Sequence, residues 1–172
     1  MTEPRAIMPV LATEGLSKSF GGLRAVRDVT LSLGRGELHA VIGPNGAGKS
    51  TFVNLLAGEF QPTAGRIWLE GRDITATPMY RRAHLGIARS FQRTNILKAA
   101  SVLENVRLAA QAVTLVPRRL LAAPSQAPEL IEGAVQSLLR AGLPHGHQRV
   151  AGTLSHGQKR QLEIAMCLAT DP

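Results

Sequence analysis

Aromatic residues are scarce, at 3% of the 172 residues, and basic side chains are not interleaved with stacking rings as they are in grooves that bind nucleic acid. A single cysteine, Cys167, excludes an intrachain disulfide, and its apolar neighbours in 164–168 place it on the buried face of a helix. No apolar run approaches the roughly 18 residues that span a bilayer, and the first residues lack the basic-then-apolar order of a secretory signal. A cytoplasmic chain is therefore expected. Sustained heptads are missing, which argues against a coiled coil. What is present is an ordinary globular composition, 44% hydrophobic and 19% charged, with a formal charge of +8 carried on scattered arginines. The compact basic group Arg81, Arg82 and His84 reads as a solvated helix face, and nucleic acid is not an expected partner.

The most informative stretch is VIGPNGAGKST at 41–51. Gly43, Pro44, Asn45, Gly46, Ala47, Gly48, Lys49, Ser50 and Thr51 fit the spacing G-x-x-x-x-G-K-[ST] at every required position. The glycines let the backbone curl so that the amides of 46–50 point into one concavity at a helix N-terminus, where the macrodipole favours an anion. Lys49 supplies a cation for the β- and γ-phosphates of a nucleotide, and the Ser50 hydroxyl is placed to complete the oxygen shell of a bridging Mg²⁺. The left flank, 37–42, reads as a buried strand, and the right flank, 49–57, as a helix stopped by Gly58.

Upstream, 11–20 and 23–33 alternate weakly around Gly21-Gly22 and predict an antiparallel pair, with a third short strand at 66–70 that puts Trp68 in the core. Pro78 opens a helix over 79–85, and a strand is expected at 87–91, just before Gln92. From 101 to 143 the pattern turns helical. Ser101 and Glu104 have the spacing of a capping box. A second helix starts at Pro128 with Leu130, Ile131, Ala134, Val135, Leu138 and Leu139 on one stripe, and stops at Gly142. The stretch 116–127 reads as a loose connection. His145-Gly146-His147 reads as a surface turn, because no third ligand stands at zinc spacing.

Near the end, LSHGQKRQLEIAM at 154–166 is a polar loop followed by an amphipathic helix, a second helix N-terminus open to an anion. With the phosphate loop, Phe91-Gln92 and Phe20, it closely resembles the ATP-binding subunit of ABC transporters over about 11–172. The strings IGPNGAGKST, ARSFQRTNIL, SVLENVRLAA and LSHGQKRQLEIAM are similar to the ATPases of branched-chain amino-acid or urea importers. The resemblance implies an α/β P-loop NTPase of the ABC type with an N-terminal antiparallel β-subdomain and a helical insert. Its parts would be 11–91 for the β-subdomain and phosphate-loop core, 92–153 for the Gln92 loop and insert, and 154–172 for the signature.

The same resemblance implies that Phe20 stacks on the adenine of ATP, although a core phenylalanine is the alternative. It gives Lys49 and Gln92 catalytic roles and Ser50 and Gln92 the Mg²⁺. Ser155, Gly157 and Gln158 would meet the γ-phosphate of a nucleotide held by a second subunit, so a head-to-tail pair is expected. His156 stands where the family usually has a second glycine. Further expected partners are membrane permease subunits on the inner face of the plasma membrane and, indirectly, an extracytoplasmic solute-binding protein. The acidic strand end and switch histidine of the family should follow Asp171-Pro172. Without them the 172-residue chain is expected to be a truncated domain that does not hydrolyse ATP, with apolar surface exposed on Leu38 and Val41. The expected function is ATP-driven import; the alternative is an ABC ATPase acting on nucleic acid, and a small-molecule kinase would leave the signature unexplained.

Overall fold

The structure, a computed structural model, describes residues 8–91, 95–114 and 128–172, which fall into two compact units, Met1–Arg82 and Ala83–Pro172. In the first unit the Gly21-Gly22 turn folds β1 (Leu11–Phe20) onto β2 (Leu23–Leu33), with Leu11 opposite Leu33 and Phe20 opposite Leu23. On its other edge β1 pairs antiparallel with β3 (Ala64–Leu69), which carries the short β4 (Arg72–Asp73), so the sheet order is β2-β1-β3-β4. Where the β1–β2 register slips, the buried Thr13 hydroxyl donates to the Val29 carbonyl and accepts from the Leu31 amide, replacing lost ladder bonds. On β3 the two-residue period puts Ile67, which is fully buried, on the core face. Trp68 is consequently turned the other way and half-buried, under the Arg66 guanidinium, rather than in the core as expected.

The segment 37–42, expected as a buried strand, forms none, and Leu38 and Ile42 are 97% and 90% exposed. Extended backbone needs a neighbour for its N–H and C=O groups, and none of the four strands pairs with this segment. The expected strand at 87–91 is absent for the same reason.

The phosphate-loop helix α1 (Lys49–Ala57) buries Phe52, Leu55 and Ala57 and ends at Gly58, whose φ of 80° only glycine adopts readily. Its C-terminus is held by Arg82, on the short helix α2 (Met79–Ala83). Instead of lying on a solvated face, Arg82 is fully buried, while Arg81 and His84 are exposed. Its Nη1 donates to the Leu55 and Leu56 carbonyls at 2.8 Å each, Nη2 to Ile74 (2.9 Å) and Thr75 (3.0 Å), and Nε to Thr77 (2.8 Å). All five guanidinium N–H groups are thereby used. Burial lowers its pKa, but the carbonyl dipoles, two of them at the negative end of α1, compensate the desolvated charge. A Cβ on Gly58 would sit 2.7 Å from Arg82 Nε, so the helix stop and the arginine depend on each other.

The second unit packs α3 (Val102–Val113), α4 (Pro128–Arg140) and α5 (His156–Leu168) around Val102, Val106, Ala134, Leu138, Leu143, Leu162 and Ala165. Leu139, expected on the buried stripe of α4, is 45% exposed, because it lies about 100° round the helix from Leu138. At Gly142 the chain leaves α4 as expected, with the Leu143 amide returning to the Leu138 carbonyl at 2.9 Å. Cys167 is only half-buried, and desolvation raises its thiol pKa. The 145–149 turn docks on the start of α3, His147 and Arg149 accepting from the Leu103 and Val102 amides at 2.9 Å. The expected connection at 116–127 lies outside the described residues.

Ser101 caps α3 by accepting from the Glu104 amide at 3.1 Å, but the reciprocal half of the expected capping box is not made. Arg107 claims the Glu104 carboxylate instead, its Nε and Nη2 each donating at 2.7 Å, which lowers the Glu104 pKa.

Two outcomes follow from these polar contacts. Arg82→Met should cost about 3 kcal/mol in urea denaturation, since five carbonyls, two of them in buried bonds, lose their donor, and Arg82→Lys should recover less than half of it because an ammonium cannot fork. Equal midpoints for the parent and Arg82→Met would refute the role. The Glu104 contribution is fully present above the ordinary carboxylate range and is lost as pH falls through its lowered folded value. Stability measured against pH should therefore have an acid limb that Glu104→Gln flattens.

Candidate nucleotide-binding site

The phosphate-binding pattern folds as a turn and a helix start. The Ala47 amide reaches back to the Pro44 carbonyl at 3.3 Å, and Gly48 then caps α1 with φ at 83°. Gly48 is required twice over: its φ disfavours side chains, and a Cβ there would collide with the Ala25 carbonyl of β2. Among the described residues no side chain caps α1 and no acidic residue stands in its first turn, so the amides that begin the helix are left uncapped. The first α-helical bond of this turn is from the Phe52 amide to the Gly48 carbonyl, at 2.8 Å.

Lys49 Nζ folds over the loop and donates to the Gly43 and Pro44 carbonyls, both at 2.6 Å. Two of the three ammonium donors thus hold the curl. Ser50 is exposed one residue further on. Outward amides, a helix dipole, a cation and a hydroxyl at one point suit a phosphate chain with its Mg²⁺, because each supplies positive potential or an oxygen ligand. Among the described residues no three His, Cys, Asp or Glu side chains converge to bind a metal by themselves. A groove of 530 Å³ runs beside the loop, but Val26, Val29, Leu31, Val41, Ile42 and Phe52 line much of it, so it suits apolar packing rather than phosphate.

Phe20, at the end of β1 in the same unit, is 44% exposed, packed edge-on against Phe60 with centroids 5.5 Å apart and with Lys18 Nζ 5.1 Å from its centroid. It is not a core side chain. Gln92 lies outside the described residues.

In the second unit, Ser155 and Gln158 satisfy each other at the start of α5: Ser155 Oγ accepts from the Gln158 amide (3.3 Å), and Gln158 Oε1 from the Ser155 amide (3.2 Å). The amides of His156 and Gly157 are left facing out. His156 is exposed and begins the helix with ordinary negative φ, so a side chain in place of the usual glycine strains nothing. At Gly157 nothing lies within 4 Å of where a Cβ would be, which keeps the helix end open to close approach.

Sequence reading missed three buried or bridging polar residues of this unit. Asn105 is 1% exposed; it accepts from the Leu97 amide (2.7 Å) and donates to the carbonyls of Leu97 (3.1 Å) and Ser101 (2.9 Å). Glu163, 5% exposed, accepts from the Asn95 amide at 2.8 Å, and Arg160 donates to the Phe91 carbonyl at 2.8 Å. A polar residue on an apolar stripe was the available signal for Asn105, between Val102 and Val106.

An antiparallel sheet, a glycine-capped phosphate loop opening α1 and a helical unit with a second open helix end define a P-loop nucleotide-binding domain. The chain belongs to the ABC transporter family, whose sequence pattern matches residues 26–172. It is 39% identical over 169 residues to LivG of Salmonella typhimurium, a high-affinity branched-chain amino acid transport ATP-binding protein, covering 95% of this chain and 66% of that one. BraF of Pseudomonas aeruginosa, named for the same role, is 40% identical over 171 residues with the same coverage. Among solved structures, the ADP conformation of MJ1267, an ATP-binding cassette of an ABC transporter, superposes with a TM-score of 0.81 at 34% identity, covering 96% of this chain and 66% of that one. The chain thus spans about two thirds of the length of these relatives, and resembles branched-chain amino-acid transport ATPases in particular.

If Phe20 offers its free face to a base, Phe20→Ala should weaken ATP affinity about fivefold or more, within the range of one stacking contact, and Phe20→Tyr should keep it. Titration with a fluorescent ATP analogue checks this; equal affinities for the two variants would remove Phe20 from the site.

Proposed function

We propose that this chain is the nucleotide-binding part of an ABC importer's motor subunit, coupling ATP hydrolysis to uptake of branched-chain amino acids or a similar small polar solute. The observation that carries the proposal is the uncapped start of α1 beneath the Lys49 ammonium, in a chain whose relatives are named for amino-acid transport. In this reading Lys49 meets the β- and γ-phosphates, the amides of 46–50 cradle them, and Phe20 stacks on adenine. Ser50 and Gln92 hold Mg²⁺, which neutralises charge on the phosphates as they separate.

The signature end of α5 works in trans. The outward amides of His156 and Gly157, framed by Ser155 and Gln158, suit the γ-phosphate of a nucleotide bound by a second subunit, so the active form is a head-to-tail pair. The single cassette is organised as 11–91, 92–153 and 154–172. Among the described residues no helix is long and apolar enough to cross a membrane. In this reading separate permease subunits supply the path. The pair would sit on their cytoplasmic side, supplied with solute by an extracytoplasmic binding protein.

The test uses a chain extended to the relatives' length and reconstituted in vesicles with its permease and binding protein. Mg²⁺-dependent phosphate release and leucine uptake are expected together, and Lys49→Ala should abolish both while leaving the fold intact. Unaltered ATP affinity and turnover in Lys49→Ala would reject the phosphate-loop assignment. ATP turnover that never drives uptake of any branched-chain amino acid would reject the transport reading alone.

A further inference from the structure

The periodicity of α4 turns Ala134, Ser137 and Leu138 into the core and leaves Glu132, Gly133, Gln136, Leu139 and Arg140 exposed on one continuous face opposite. Glu132, Gln136 and Arg140 stand four residues apart on a single line, acidic at one end, neutral in the middle and basic at the other. Eight residues separate the two charges, about 12 Å of helix rise, so they do not pair with each other. Among the described residues neither of them forms an ion pair.

Two further features of this face have no account within one copy. Leu139 is 45% exposed beside the fully buried Leu138. Gly133 sits inside the helix, where glycine is disfavoured, although its φ is not positive and nothing lies within 4 Å of where a Cβ would be. The helix dipole favours an arginine in the last turn, but it explains neither the exposed leucine nor the glycine.

The order of the charges decides what fits. A second α4 laid antiparallel across the first, with Gln136 over Gln136, sets each Glu132 against the other copy's Arg140. The same register brings each Leu139 over the other copy's Gly133, where no side chain stands in its way. A parallel arrangement would set glutamate against glutamate and arginine against arginine, which repel. The face therefore complements itself about a two-fold axis, as an isologous contact requires.

We propose that this face of α4 docks antiparallel on the α4 of a second copy of the chain, through two Glu132–Arg140 pairs and two Leu139–Gly133 contacts. One helix face per copy is a small area, so the contact is of the weak, reversible class. It uses neither the phosphate loop nor the signature end. It is therefore distinct from the head-to-tail pair described above, needs no nucleotide and does not rest on the transport reading.

The experiment is sedimentation velocity on the chain extended to the relatives' length, without nucleotide, over a range of protein concentrations. The parent should dimerise reversibly, and less so in high salt, which screens exposed ion pairs. Arg140→Glu and Glu132→Arg should each weaken association about tenfold or more, because each turns two attractions into two repulsions. Mixed in equal amounts, these two variants should associate as the parent does, since every pair again meets opposite charges. Gly133→Leu should also weaken the dimer by filling the gap that Leu139 takes. The melting temperature of its protomer should not fall, because a side chain at 133 meets nothing within its own copy.

A parent that stays monomeric at every concentration would overturn the inference. So would dimers that neither charge reversal moves, or a mixture of the two variants that fails to associate. A dimer that forms only with ATP would be the head-to-tail pair and would equally overturn it. If the parent is monomeric and Arg140→Glu instead loses its permease, the face belongs to that subunit. Failure of any of these leaves the ATPase reading standing, because Lys49 is unaltered in every variant.

Discussion

A helix leaves backbone groups without partners at each end, and the structure is organised by how those groups are met. At the start of α1 no side chain among the described residues caps them: Gly48 turns the chain in, and Lys49 folds back on the Gly43 and Pro44 carbonyls. At its other end the Leu55 and Leu56 carbonyls are closed by Arg82. One end is left without a side-chain cap, and the other is fastened by the fold. The sheet stands beside this helix, its Ala25 carbonyl excluding any side chain at Gly48.

The helical unit repeats the contrast. Ser101 caps α3 and the 145–149 turn completes it, so that end is shut. Ser155 and Gln158 bond to each other at α5 and so close two groups while leaving the next two amides outward. That difference distinguishes a structural cap from a candidate anion site, although both begin with serine. In the proposed reading, one such end meets a nucleotide's own phosphates and the other those of a nucleotide held by a partner.

Buried polar side chains supply the specificity that the apolar core lacks. Leu138, Leu162 and Val106 would pack in more than one way, but Asn105 and Glu163 each accept from one particular amide. Both amides belong to the stretch 95–97. The half-formed capping box at Glu104 shows the competition directly: an arginine offering two N–H groups displaces a single backbone amide as the partner of that carboxylate.

Much of the candidate site was legible because its determinants are local. The turn and the helix start at 43–51, the Gly21-Gly22 hairpin, the Ser101 cap and the Gly58 and Gly142 stops each depend on a few consecutive residues. The sequence by itself therefore determined where phosphate could be held and which helices would carry it. Tertiary structure decided what depends on distant partners. Arg82 looked like a surface charge until Leu55, 27 residues away, gave it a buried acceptor, and Glu163 acquired its role from an amide 68 residues upstream. The 37–42 segment has the composition of a strand, but its extended backbone would need a neighbouring ladder, and none of the four strands supplies one. Composition can specify which face is apolar, but only the packed chain specifies what that face and its hydrogen-bonding groups will meet.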